Sequence, residues 1–108
     1  MVPLRERHCK PCTPSDKALT NEESEKLVHE LAKGWQVLES TKLQKEFPFE
    51  NFKRGMAFAQ EIAIIAEQEQ HHPDICIHFK SVEVELTTHD VGGLSENDFI
   101  LAAKIDEL

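Results

Sequence analysis

Four of the chain's six histidines, His71, His72, His78 and His89, fall within one short stretch. Imidazole exchanges a proton nearer to neutral pH than any other side chain, so clustered histidines can serve as acid and base or as metal ligands. Glu67 stands four residues before His71, and on a helix the two would share a face. A carboxylate there would orient the imidazole and select its tautomer. A helix C-terminus favours the protonated ring, whereas neighbouring imidazoles oppose being charged together. One charged and one neutral histidine would give an acid and a base in one pocket, each typically contributing ~10²–10⁴-fold to a rate.

Two other readings fit the same residues. An adjacent His-His pair is often solvated surface. Three imidazoles also suffice for zinc. Adjacent helical residues point about 100° apart, so His71 and His72 would not readily share one ion, and the string is not His-Glu-x-x-His. His78 alternates with Ile77 and Phe79 and is expected to face solvent. Cys9-Lys10-Pro11-Cys12 is a C-x-x-C without the second pair of a zinc knuckle, and it lies in a proline-rich arm rather than at a helix start. Cys76 reads as an inert thiol. Gly92-Gly93 alone makes no phosphate loop, and no serine nucleophile motif is present.

Caps and periodicity define the elements that must position these side chains. Residues 1–19 hold Pro3, Pro11 and Pro14 with little apolar periodicity, and read as an extended or poorly ordered arm before a single domain over 20–108. Thr20-Asn21-Glu22-Glu23 has capping-box spacing and Gly34 is a natural stop, which predicts a helix over about 21–33. Two short strands, Trp35 to Leu38 and Leu43 to Phe47, flank a Ser40-Thr41-Lys42 turn. A helix over about 51–70 has an apolar stripe of Phe52, Met56, Ala59, Ala63 and Ala66, widened by Phe58, Ile62 and Ile65. So broad a face suits a helix that lies on a sheet and also touches another subunit. Pro73 disfavours a helical His72, so this helix should end near His71.

Ile75, Ile77 and Phe79, then Val82, Val84 and Leu86, alternate as two strands around a Lys80-Ser81 turn. Pairing Phe79 with Val82, Ile77 with Val84 and Ile75 with Leu86 matches apolar to apolar. Continuing that register sets His89 opposite His72. Ser95 opens a last helix through Phe99, Ala102, Ala103 and Ile105. The order α-β-β-α-β-β-α predicts an α+β fold, an antiparallel sheet with helices packed on one face.

A chain of 108 residues has room for one core. A net charge of −8 argues against a nucleic acid or an anionic membrane as direct partner. With 40% hydrophobic and 30% charged residues the chain is an ordinary globule and not a disordered one. No apolar run approaches the ~18 residues of a membrane span, and no signal-peptide core follows Met1. Three cysteines do not make a disulfide framework and fit a reducing cytoplasm, the expected location.

Glu67-Gln68-Glu69-Gln70-His71-His72-Pro73-Asp74, with Thr88-His89-Asp90 and Gly93-Leu94-Ser95-x-x-Asp98, resembles the pterin-4a-carbinolamine dehydratases. The signature there is Glu-x-x-x-His-His-Pro, an aromatic (here Phe79), Thr-His, and an acid in the last helix. Trp35, Phe47-x-Phe49-x-x-Phe52 and Leu101-Ala102-Ala103-x-Ile105-Asp106 extend the likeness over residues 20–108. Ile75 stands where some members carry Trp. The resemblance implies a four-stranded antiparallel sheet, a homodimer or homotetramer, and a hydro-lyase acting on 4a-hydroxytetrahydropterin. The product is quinonoid dihydropterin, which recycles the cofactor of aromatic amino acid hydroxylases. Catalysis maps by position to His71, His72 and His89, and substrate binding or orientation to Glu67, Pro73, Thr88, Asp90, Val91 and Asp98. Of these, His71 and His89 would exchange protons, His72 would position the pterin and Glu67 would orient His71. No metal or other cofactor is implied. The alternative within the resemblance is a non-catalytic module, since relatives serve as dimerisation cofactors of a transcription factor or in carboxysomal Rubisco assembly. A protein partner, hydroxylase or regulator, would then dock on the broad helix face.

Overall fold

The protein is described by a computed structural model covering residues 2–108. Thr20 starts the first helix through a complete capping box. Its Oγ1 accepts the Glu23 N–H at 3.2 Å, and Glu23 Oε1 accepts the Thr20 N–H at 2.9 Å. That backbone bond from Thr20 holds the Glu23 carboxyl below its ordinary range. The helix, α1, spans Asn21–Val28 and does not run on towards residue 33. Tertiary capture ends it. Asp106, near the other end of the chain, accepts the Ala32 N–H at 3.1 Å, while Glu30 and Leu31 close with tighter i→i+3 bonds.

Four strands follow, β1 (Gln36–Leu38), β2 (Lys42–Pro48), β3 (Asp74–His78) and β4 (Ser81–Leu86). Helix α2 (Phe52–Glu69) separates the two hairpins and α3 (Glu96–Asp106) closes the chain, so the predicted α+β order stands. The sheet is antiparallel throughout, in the order β1-β2-β4-β3. Glu39 and Ser40 take the left-handed turn conformation, with φ of 51° and 62°, so the first turn sits one residue earlier than predicted and Lys42 already belongs to β2.

The second hairpin differs from the predicted register. His78 pairs with Ser81, Ile77 with Val82 and Ile75 with Val84, leaving Phe79 and Lys80 as the two-residue turn. The shift is two residues. Because side chains alternate with a period of two, every one keeps its expected face while its partner changes. Phe79 is therefore 71% exposed in the turn, and the ladder stops at Asp74 and Glu85. The predicted cross-strand pairing of His72 with His89 does not form.

Leu43, Val82, Val84 and Leu86 point from the sheet into the core, where they meet Ile62 and Ala66 of α2 and Phe99, Leu101 and Ile105 of α3. Fully burying an aliphatic or Phe side chain of this kind contributes about 1.5–3 kcal/mol. Gly55 lets α2 approach closely, since a Cβ there would lie 3.2 Å from Val82 Cγ2. On its other side α2 leaves Phe52 and Ile64 about half exposed, and Ala63, expected in the buried stripe, is exposed too. Near the end of the chain Asp106 binds three groups: the Ala32 N–H at 3.1 Å, Trp35 Nε1, which reaches both carboxylate oxygens at 3.1 and 2.9 Å, and Lys45 Nζ at 2.9 Å.

The N-terminal arm is largely irregular and is docked on the domain. One 3-10 turn, Leu4–Glu6, sets Leu4 into the core at 3% exposure. This explains why α3 is buried on nearly every face: sheet and α2 cover one side and the arm the other. Glu69, 8% exposed, holds the arm by accepting the Cys9 N–H at 2.7 Å and facing His8 and Lys104. Burial pushes its carboxyl up, but the Cys9 N–H, His8 and Lys104 together outweigh that and lower it from the ordinary 4.5. A depressed folded-state carboxyl stabilises the fold above its unfolded value and loses that contribution as pH falls through the folded one. The arm is thus expected to loosen only below pH 4.5. Faster amide exchange at Cys9 below that pH, with the sheet still protected, is the measurable outcome.

Candidate active site

Helix α2 ends at Glu69, two residues before the predicted stop, because Gln70 adopts the left-handed conformation at φ 53°. His71 therefore leaves the helix axis. Its ring lies almost buried beneath α3, with Nε2 2.6 Å from Asp98 Oδ1. Asp98 is fully buried at the third position of α3. Its Oδ2 accepts the Ser95 N–H at 3.0 Å and the Thr88 hydroxyl at 2.8 Å. With the Thr88 proton committed to the carboxylate, Ser95 Oγ–H must donate to Thr88 Oγ1, 2.8 Å away.

This network fixes a tautomer. An ionised carboxylate only accepts, so the His71 proton sits on Nε2 and Nδ1 is the nitrogen left for chemistry. A buried carboxylate surrounded by donors is also well placed to stabilise positive charge on that ring. Among the described residues no buried side-chain polar atom lacks a partner.

The two remaining histidines stand on exposed ground. Thr88 is buried at the end of the β4 run and bridges to Gly93, which pinches off the loop carrying the 3-10 turn His89–Val91. His89 and Asp90 are exposed and Val91 is half-buried. His89 is thus one residue from the hydroxyl that binds Asp98, and Asp98 in turn binds His71. Asp98, and not a strand ladder, ties the two segments together.

His72 follows on the short link into β3, with Pro73 half-buried behind it. Its Nε2 makes a short hydrogen bond to Glu67 Oε2. The predicted Glu67–His71 contact is corrected here. The i,i+4 relation needs a continuous helix, and Gln70 breaks it, so Glu67 meets His72 and Asp98 takes His71. The Glu67–His72 pair is more than half exposed, where such a pair contributes about 0–1 kcal/mol. Glu67→Gln is accordingly expected to cost no more than about 1 kcal/mol of stability, the range for an exposed pair. Urea unfolding of the variant checks this.

Sequence reasoning missed Ser95 as the hydroxyl behind Thr88. The signal was present in Ser95-x-x-Asp98, whose capping spacing brings Asp98 back over the helix start. Cys9 is no thioredoxin-type nucleophile. Burial and then the negative Glu69 and Asp98 push its thiol up to about 12, and Cys9, Cys12 and Cys76 are all free. The described residues that could hold a cation are Glu46, His78 and Glu83, whose ligand atoms lie within 4.8 Å of one another on the open face of the sheet. They are apart from the His71–Asp98 network. The clefts beside the arm, one of about 560 Å³ lined by Arg7, His8 and Glu96 among others, do not include His71, His72 or His89.

Comparison with known proteins identifies the family. The family profile described as Pterin 4 alpha carbinolamine dehydratase matches residues 17–108. A protein of Nitrosospira multiformis, provisionally named a pterin-4-alpha-carbinolamine dehydratase, is 48% identical over 105 residues, covering 97% of this chain and 91% of that one. One of Rubrobacter xylanophilus, named in the same provisional way, is 39% identical over the full length of both. A crystal structure titled transcriptional coactivator/pterin dehydratase from Brucella melitensis superposes with a TM-score of 0.78 at 29% identity, covering 84% of this chain and 97% of that one. A pterin dehydratase-like RuBisCO assembly factor of the alpha-carboxysome shares the fold, with a TM-score of 0.60 at 23% identity over 70% of this chain and 92% of its own. By profile, sequence and fold alike, the chain belongs to the pterin-4-alpha-carbinolamine dehydratase family.

Proposed function

We propose that the protein is a hydro-lyase that removes water from 4a-hydroxytetrahydropterin to give quinonoid dihydropterin. The observation that carries this is the 2.6 Å bond between His71 and the buried Asp98. It prepares one imidazole, with its tautomer fixed, for proton transfer. In the reaction the C4a–oxygen bond breaks, the departing hydroxyl takes a proton, and a ring nitrogen gives one up. No electrons are gained or lost, so imidazoles alone can perform it, and neither metal nor redox cofactor is called for. His71 and His89 exchange the two protons, and Asp98 stabilises the charge that His71 takes up. His72, held by Glu67, positions the pterin together with Pro73, Asp90 and Val91. The product would return to the cofactor pool of an aromatic amino acid hydroxylase in the cytoplasm.

The test is dehydration of chemically generated carbinolamine, followed by ultraviolet absorbance. His71→Ala and His89→Ala should each slow it by about 10²-fold or more, the typical size of a general acid or base contribution. Wild-type rates in both variants would overturn the assignment.

The half-exposed Phe52 and Ile64 of α2 favour a second, compatible role for that helix in self-association to a dimer or tetramer, or in docking a protein partner. Sedimentation of the purified chain decides between them. A monomer inactive on carbinolamine that captures a stoichiometric partner would put a binding module first.

A further inference from the structure

The arm grips two residues that stand beside the two partners of the central hydrogen bond. Asn97 precedes Asp98. Its Oδ1 accepts the Lys10 N–H at 2.9 Å and its Nδ2 donates to the Lys10 carbonyl at 2.6 Å, while the Cys9 thiol reaches its backbone carbonyl at 3.6 Å. Glu69 precedes His71 by two residues. It takes the Cys9 N–H at 2.7 Å and faces His8 Nδ1 at 3.0 Å. Leu4, buried on α3, and Lys104, which donates to the Arg5 carbonyl at 2.9 Å, fasten the arm further along.

Arm residues 8–10 therefore bridge the end of α2 to the start of α3. Those are the two chain ends that carry His71 and Asp98. A bond of 2.6 Å between two helix ends holds only while those ends keep their relative placement, and the arm links them directly. The family profile begins at residue 17, so this brace lies outside it.

We infer that the N-terminal arm is a clamp that positions the His71–Asp98 pair, with Asn97 and Glu69 as positioning residues. The inference rests on the proposed role of His71 in proton transfer. Small misplacements of reacting groups are costly, up to ~10²-fold per ångström. Asn97→Ala removes both side-chain bonds to Lys10. Glu69→Gln is the milder variant, since it keeps an acceptor for the Cys9 N–H and loses the charge facing His8 and Lys104.

In the full-length protein Asn97→Ala should lower kcat about tenfold, within that positional sensitivity, and leave KM within about twofold. In an Asp98→Asn background the same change should cost nothing further, because it acts through Asp98. The His71 Nε2–H proton, followed by proton NMR, should exchange faster with solvent in Asn97→Ala and in Glu69→Gln. A purely structural role predicts a lower melting temperature with unchanged kcat per folded molecule, additive losses and an unmoved ring proton. That pattern would overturn the clamp. If the wild-type chain does not dehydrate carbinolamine at all, the proposed function fails by itself. Ring-proton exchange then still decides the clamp: unaltered exchange in both variants refutes it, and faster exchange supports it.

Discussion

Asp98→Asn is expected to lower the dehydration rate by about 10²–10⁴-fold, the range of a lost acid/base contribution, while the protein stays folded. The loss comes from the changed tautomer and from the missing carboxylate charge, since the hydrogen bond to His71 itself can still form. Asp98 Oδ2 receives the Ser95 N–H and the Thr88 hydroxyl, so in the variant the amide oxygen must turn to those two donors. The amide N–H₂ then faces His71 Nε2 and donates to it. The ring proton is driven to Nδ1, and the nitrogen meant for substrate becomes a donor. The positive charge that His71 would take up also loses its compensating carboxylate. Stopped-flow absorbance at saturating substrate measures the rate, and circular dichroism controls for folding. A rate within about threefold of wild type would mean that His71 is not a proton-transfer residue, since such residues contribute far more.

Asp106→Ala is expected to cost about 3–5 kcal/mol of stability, the range for breaking a largely buried ion pair. Lys45, with its side chain 13% exposed, loses its carboxylate partner and stays packed against Phe47, whose ring centroid lies 4.7 Å from Nζ. Trp35 Nε1 and the Ala32 N–H lose their acceptor as well. For a chain of this size each kcal/mol shifts the melting temperature by roughly 4–8 °C, so a fall well beyond 10 °C is anticipated. Urea unfolding followed by Trp35 fluorescence measures it. Pairing Asp106→Leu with Lys45→Met should recover part of the loss, because two apolar side chains carry no stranded charge. A loss below about 1 kcal/mol would show that the pair acts as an exposed one.

Several parts of this molecule were legible residue by residue. Thr20 and Glu23 marked the first helix start, Ser95 and Asp98 the last, and alternation in 75–79 and 82–86 marked two strands with the correct faces. The histidine pair was placed at a helix end by Pro73, and the family was recognisable from Glu67, His71-His72-Pro73 and Thr88-His89. These features depend on a few neighbours along the chain, and local sterics and hydrogen bonding specify them.

Other features had no local signature. The second hairpin could slip by two residues without moving any side chain to the wrong face, so the hydrophobic pattern did not fix the partner of Ile75. Helix α1 stops early because a carboxylate 74 positions away captures the Ala32 N–H. Glu67 meets His72 because Gln70 turns left-handed at the helix end, one residue before His71. An irregular arm became a docked brace, with Leu4 buried, because α3 is apolar on more than one side and needed a second cover.

The sequence by itself thus determined the elements, the buried faces and the chemical type of the site. Only the tertiary structure decided which carboxylate serves which histidine, since a pairing across 27 residues depends on where two chain ends meet. Hydrogen bonds need atoms aligned to within tenths of an ångström, and periodicity of apolar residues carries no information at that scale.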